Sequence, residues 1–139
     1  MTMDKLNRTL AGFEPMALSI FRIMTGLLLF QYGVAKILKF PVLPYFANIP
    51  PLITAAGAIE LVGGALLMLG LFTRPVAFIL SGQMAFAYFI GHMFKGATPV
   101  FIPLLNGGNA AILFCFACLY LACAGGGPWS VDAMMRGKR

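Results

Sequence analysis

The chain has 139 residues, 60% of them hydrophobic and 10% charged, with a formal net charge of +6 and a mean hydropathy of +0.91. Soluble domains carry about 25% charged residues, so this composition excludes an ordinary soluble enzyme. The length suits one domain, residues 1–139, with room for about four membrane spans.

The first hydrophobic segment covers about 16–38. Arg22 interrupts it and no small-residue cleavage site follows, so a retained span is expected rather than a signal peptide. At 100° per residue, Arg22, Thr25, Gly26, Leu29, Gly33 and Lys36 share one stripe. The connection that follows, KFPVLPYFANIP, is apolar. It is expected to lie in the membrane interface or fold back over the mouth of a bundle.

The second span is expected over 52–72. Pro51 to Phe72, PLITAAGAIELVGGALLMLGLF, is a 22-residue run broken only by Glu60. A carboxylate at that depth costs several kcal/mol by insertion scales and needs a partner, a proton or a job. Ala56, Gly57, Glu60, Gly63 and Gly64 share a stripe. Small residues let membrane helices approach closely, so both charged stripes are expected to face inward. At a rise of 1.5 Å per residue, Glu60 lies about 13 Å below the outer surface and Arg22 about 10 Å above the inner one. A long arginine closes most of the remaining gap in a core ~30 Å thick. An Arg22–Glu60 ion pair is therefore the expectation, either as part of a site or as a device that fixes helix register. The alternative leaves Arg22 snorkelling to the inner interface and Glu60 as a protonatable group.

Thr73-Arg74-Pro75 is expected to form a tight hairpin into a third span over 76–94. Ser81, Ala85, Tyr88 and His92 form its polar stripe. After a second apolar connection, KGATPVFIPLL, Asn106 and Asn109 open a fourth span over 107–124. Lys36, Tyr88, His92, Asn106 and Asn109 are candidates to line a pocket beneath the outer connections. The plainer reading has Asn106 capping the fourth span and His92 hydrogen-bonding at the interface. One histidine without a nearby carboxylate gives no metal site. Gln31 and Gln83 lie about 180° from the charged stripes of their helices, where they meet other neighbours or a second copy.

Cys115 and Cys118 have the spacing of a redox dithiol. They sit mid-span, where cysteine behaves as a small hydrophobe. With Cys123 in the same apolar run, they make no secreted disulfide framework.

All nine prolines fall outside the four segments, where a missing backbone donor does least harm to a helix. The runs lack the period-two alternation of a barrel. Helices are the remaining way to satisfy the backbone in lipid. The predicted fold is all-α, an antiparallel four-helix transmembrane bundle. Lys5, Arg8, Arg74, Arg136, Lys138 and Arg139 fall on one side and Lys36, Lys39 and Lys95 on the other. That bias places both termini in the cytoplasm, with Trp129 as an interface anchor. Basic residues so placed meet lipid headgroups, and nucleic acid is not an expected partner.

Three ordered segments carry a family resemblance. RIMTGLLLFQYGVAKIL (Arg22–Leu38) is similar to an R…G…G..K pattern, and ELVGGALLMLGLFTRPVA (Glu60–Ala77) to an E..GG…G..TR..A signature. NGGNAAILFCFACLYLACAGGGPWSVD (Asn106–Asp132) is similar to an N.G…GGGPWS.D ending. Together they resemble the DoxX family of small four-helix bacterial membrane proteins. The chain departs from that pattern at Asn109, where many relatives carry an acidic residue, and this puts acid chemistry there in doubt.

The resemblance implies a multi-pass protein of the bacterial inner membrane. Some relatives are described as membrane subunits of a thiosulfate:quinone oxidoreductase, and others are linked to membrane redox assemblies. The implied cofactor is a quinone. Glu60 and His92 would exchange protons with it, and Arg22 would hold Glu60. The chain has no haem-type CxxCH and no cysteine cluster for iron–sulfur, so electrons must come from a protein partner. A homo-oligomer is the other expected association. A competing reading is a non-catalytic scaffold that docks a partner through its outer loops. A small transporter would lack the broken helices and inverted repeat usual for that activity.

Overall fold

The computed structural model describes residues 2–137, so Lys138 and Arg139 of the orientation argument lie outside the described residues. The described residues are helical throughout their regular structure, with no strand among them. Helix α1, Met3–Gly12, starts where the Thr2 hydroxyl accepts the Lys5 N–H at 3.3 Å. A bend at Phe13 leads into α2, Glu14–Leu38, with Pro15 in its first turn where no intrahelical donor is needed. The last five residues of α2, Val34–Leu38, widen into a π-helical turn, and Lys39 ends it with φ of +58°. A 3-10 turn, Pro44–Phe46, lies in the connection to α3, Pro51–Leu69.

Helix α3 stops earlier than the run of apolar residues suggests. Gly70 turns left-handed at φ +71°, and the Leu71 N–H reaches back to the Leu66 carbonyl at 3.0 Å. The turn is therefore Gly70–Phe72. Thr73-Arg74-Pro75, expected as the hairpin, instead opens α4, Thr73–Met93. Proline is harmless there because a first turn has no intrahelical acceptor for its missing N–H. Helix α4 also ends in a π-helical turn, Phe89–Met93. A short α5, Pro103–Asn106, precedes α6, Asn109–Ala124, and α7, Val131–Arg136, closes the described chain.

Helices α2, α3 and α4 are each long and apolar enough to cross a membrane, whereas α6 is shorter at 16 residues. Helix α2 packs mainly on α3, α4 on α6, and α3 on α4. Contacts between α2 and α3 run in opposite chain order. Arg22 meets Leu67, Gly26 faces Gly64, Gly33 faces Leu61, and Lys36 meets Gly57 and Glu60. The same opposite order relates Arg74, Ser81 and Tyr88 of α4 to Cys123, Cys115 and Gly108. Both pairs are antiparallel.

Glycine makes the first pairing possible. A Cβ at Gly26 would sit 2.8 Å from the Gly64 carbonyl oxygen, and one at Gly64 would sit 2.6 Å from the Phe30 nitrogen. The backbones of α2 and α3 touch where any side chain would part them. In lipid such contact stabilises through close packing, since hydrocarbon outside the helices is as apolar as the core. Leu29, Leu67, Leu80, Met84, Cys118 and Leu121 fill the centre, and Phe21–Tyr120 and Tyr32–Phe114 ring edges join α2 to α6.

Candidate functional site

Glu60 is 2% exposed and faces the interior of the helix packing. Its partner is Lys36, whose ammonium donates to Oε1 at 3.1 Å and Oε2 at 2.9 Å. Gln83 of α4 adds a third donor, Nε2 to Oε1 at 3.2 Å. The carboxylate is thus held from α2 on one side and α4 on the other. The remaining Gln83 oxygen, Oε1, is buried with no hydrogen-bond partner among the described residues. A buried acceptor without a donor costs about 1–3 kcal/mol and marks a place where a donor fits.

Local structure aims Lys36 into this position. It lies in the π-helical turn Val34–Leu38; such turns add a residue to the helical round and often occur at functional sites. Gly57 leaves room for its stem, since a Cβ there would lie 2.7 Å from the Lys36 Cβ. The ammonium lies 5.8 Å from the Tyr32 ring centroid and 5.6 Å from that of Phe46, within cation–π range. Lys39 holds Phe46 there by donating from Nζ to its carbonyl at 2.7 Å. The connection between α2 and α3 therefore folds back over the lysine.

A second polar group forms where α4 meets α5. Asn106 is buried, and its Nδ2 donates to Tyr88 Oη at 3.2 Å and to the Val100 carbonyl at 2.9 Å. Its Oδ1 accepts the Gly108 N–H at 2.8 Å. Tyr88 donates to the Phe101 carbonyl at 3.3 Å, and His92 Nδ1 lies 3.2 Å from the Asn106 carbonyl oxygen. That carbonyl needs a donor, which assigns the proton to Nδ1. Tyr88, His92 and Asn106 thus come together and pin the connection over residues 94–102, whereas Lys36, expected in the same group, pairs with Glu60. Asn109 does not join them. It is exposed in the first turn of α6 and makes no side-chain hydrogen bond among the described residues. No hydrogen bond among the described residues joins this group to Glu60.

Arg22 does not pair with Glu60. It is fully buried at the other end of α3 and donates to the Leu67 and Trp129 carbonyls, each at 2.8 Å, and to the Gly126 carbonyl. A fourth, longer contact reaches the Met68 carbonyl at 3.5 Å. Two of these acceptors close α3, where unpaired carbonyls and the helix dipole attract a cation. The long glycine-rich loop after α6 supplies the others, and this reach was hidden from a calculation of depth along separate helices.

The same end is clamped again by Asp132. Its carboxylate accepts the Phe72 and Thr73 N–H groups at 2.9 Å each, capping α4 from 59 or more residues away. Burial works against its charged form. The two N–H groups outweigh that, with help from the Arg136 charge, and hold it below the usual carboxylate range. The Ser19 hydroxyl accepts the Trp129 N–H at 3.1 Å, and Arg74 donates to the Cys123 carbonyl at 2.6 Å.

Cys115, Cys118 and Cys123 are free thiols. Cys118 is fully buried, and the Cys115 carbonyl accepts from Ser81 at 2.8 Å. Among the described residues no three His, Cys, Asp or Glu side chains gather to hold a metal. Sequence reasoning missed Tyr32 and Phe46, and it singled out Gln83 without placing it beside Glu60. The position of Gln83, opposite the polar stripe of α4, left open whether it meets other neighbours or a second copy. Packing between α3 and α6 gives α4 two buried faces. An amide in mid-span is itself a sign of an interior partner.

Helices of this length and apolarity around a buried ion pair define a polytopic membrane protein. Residues 17–93 match the DoxX family, more than half of the chain. An uncharacterized protein of Haemophilus influenzae is 40% identical over 126 residues, covering 88% of this chain and 93% of that relative. The chain belongs to the DoxX family of membrane proteins. No solved structure matches it.

Proposed function

We propose that the chain is a quinone-linked membrane subunit of a redox system, with Glu60, Lys36 and Gln83 as its polar intramembrane site. The observation that carries this reading is the unpartnered Gln83 Oε1 beside a buried carboxylate. A bound quinone supplies two-electron, two-proton chemistry. Lys36 keeps one N–H beyond its two contacts with Glu60 and can donate it to a ring oxygen. Gln83 Oε1 accepts from a ring hydroxyl, and Glu60 takes or returns a proton. The rings of Tyr32 and Phe46, within about 6 Å of the ammonium, offer apolar surface beside it. Electrons pass to or from a redox protein partner.

In this reading α6 is the fourth crossing of an antiparallel four-helix bundle that forms one domain. Its 16 residues give about 24 Å of helix, and α5 extends the path towards the ~30 Å a bilayer core requires. The bacterial inner membrane, with both termini cytoplasmic, is supported by Lys5, Arg8, Arg74 and Arg136 lying at one end of the helices.

A second reading rests on the outer connections. Val42, Leu104, Phe40, Leu105 and Tyr45 are each 70–82% exposed. A scaffold that docks a membrane partner would use them, and the ion pair would only hold the fold.

The test is mass spectrometry of extracts from protein purified in mild detergent, wild type beside Glu60→Gln. Quinone near stoichiometric in the wild type and depleted in the variant supports the redox site. Protein free of quinone in both forms removes that reading and favours the scaffold.

A further inference from the structure

A groove of about 270 Å³ opens where α3 turns into α4 and α7 docks against them. Phe72, Arg74, Pro75, Asp132, Met135 and Arg136 line it. It lies at a helix end, at the level where membrane-spanning segments meet lipid headgroups. Phe72 is 59% exposed and Met135 42% exposed, so its rim is apolar.

Its charges are unequally committed. Asp132 uses both oxygens on the backbone N–H groups of Phe72 and Thr73. Arg74 spends one guanidinium nitrogen on the Cys123 carbonyl, leaving Nε and Nη2 without an acceptor among the described residues. Arg136 makes no hydrogen bond or ion pair with any described residue. Two exposed arginines thus line the groove, Arg136 uncommitted and Arg74 with Nε and Nη2 beside Gly125 but without an acceptor among the described residues, against one carboxylate already occupied. Planar N–H forks of this kind match phosphate oxygens two at a time.

We propose that this groove binds the phosphate of an anionic phospholipid headgroup, with Arg74 and Arg136 as donors and Phe72, Pro75 and Met135 against the glycerol and upper chains. Basic pockets at the ends of spanning helices hold anionic headgroups in this way. A soluble phosphate compound presents the same chemistry, but the apolar rim at headgroup depth favours the lipid. The site is independent of any quinone at Glu60.

The test reconstitutes the full chain in nanodiscs of mixed phosphatidylglycerol and phosphatidylcholine, then measures the lipid retained after transfer to detergent. Wild type is expected to enrich phosphatidylglycerol over the bulk ratio. Each of Arg74→Gln and Arg136→Gln should lower that enrichment about fivefold, the scale expected for one basic residue at an anionic surface. Lys5→Gln with Arg8→Gln, at the same end on α1, should leave it unchanged. Arg136→Gln keeps the question open to refutation even if Arg74→Gln fails to fold, because Arg136 makes no hydrogen bond or ion pair with any described residue and adds only the smallest of the influences that favour the Asp132 charge. No enrichment, or equal enrichment in wild type and Arg136→Gln, overturns the proposal. A rise in melting temperature with inorganic phosphate in phosphatidylcholine discs, without lipid enrichment, overturns the lipid source and assigns the arginines to a soluble phosphate.

Discussion

Replacing Lys36 by methionine would remove one half of the buried pair and keep most of the stem that Gly57 accommodates. Glu60 would keep one donor, Gln83, in place of three contacts. At 2% exposure the carboxylate has almost no access to water. Stranding one member of a buried pair costs about 3–5 kcal/mol, and a charge at mid-bilayer costs about 3 kcal/mol on insertion scales. Lys36 itself is 13% exposed, so some screening applies and the lower end, about 3 kcal/mol, is the better figure. For a chain of this size that is a drop of about 10 °C in melting temperature.

The double variant Lys36→Met with Glu60→Gln removes the charge and keeps an acceptor for Gln83. Its expected stability lies within about 1 kcal/mol of the wild type, because an uncharged hydrogen-bonded pair replaces an ionic one. Circular dichroism melts in one mild detergent compare the three proteins directly. Arg22→Leu is the control. It strands carbonyls rather than a carboxylate, so Glu60→Gln should not rescue it. A double variant no more stable than Lys36→Met, or rescue of Arg22→Leu by Glu60→Gln, would refute the assignment of Lys36 as the partner.

Gly64→Ala should separate α2 from α3 and cost about 2–3 kcal/mol by overpacking, whereas Gly82→Ala, with nothing within 4 Å, should be neutral or slightly stabilising in the same melts. Because the folded pKa of Asp132 lies below its unfolded value of about 3.9, its stabilisation is complete above that pH and fades as pH falls through the folded value. Melts between pH 6 and pH 3 should show that loss, and Asp132→Asn should remove this part of the slope. Asn106→Ala should release the connection over residues 94–102 and speed its cleavage by protease, since Tyr88, Val100 and Gly108 each lose a partner. A maleimide should label exposed Cys123 in the folded protein and leave Cys118 unmodified until it unfolds.

Much of the helical layout was legible because lipid leaves the backbone so few choices. Apolar runs, proline breaks and small-residue stripes gave the spanning helices and the inward faces of α2 and α3. The buried positions of Arg22, Thr25, Gly26, Leu29 and Gly33 follow the expected stripe on α2. Partner choice was not legible. Arg22 and Lys36 sit on the same face four turns apart, and Glu60 lies nearer in depth to Lys36. The π-helical turn that swings Lys36 inward has no sequence signature as plain as proline. Two of the four carbonyls that hold Arg22 come from a loop more than 100 residues later, which periodicity along one helix cannot reveal. The clustering of Tyr88, His92 and Asn106 was legible because three polar groups at one depth have little else to bond.

The three motifs that mark the family now divide by what they do physically. Arg22, Gly70, Thr73, Gly126, Trp129 and Asp132 meet at one end, where cation, carbonyls and carboxylate close the ends of α3 and α4. Gly26, Gly33 and Gly64 serve backbone contact between α2 and α3. Most of the recognisable pattern therefore holds the fold, which is why it identifies a family more readily than an activity. What fold-holding leaves unexplained is narrow. Two buried side-chain atoms lack a hydrogen-bond partner among the described residues, Thr73 Oγ1 within the Asp132 clamp and Gln83 Oε1, and the second lies beside a carboxylate that a register pin alone would not require to be met from both neighbouring helices. Replacing Gln83 by methionine separates the cases. A purely structural amide would lower the melting temperature and leave bound small molecules untouched, whereas a ligand donor at Oε1 would be lost along with that oxygen.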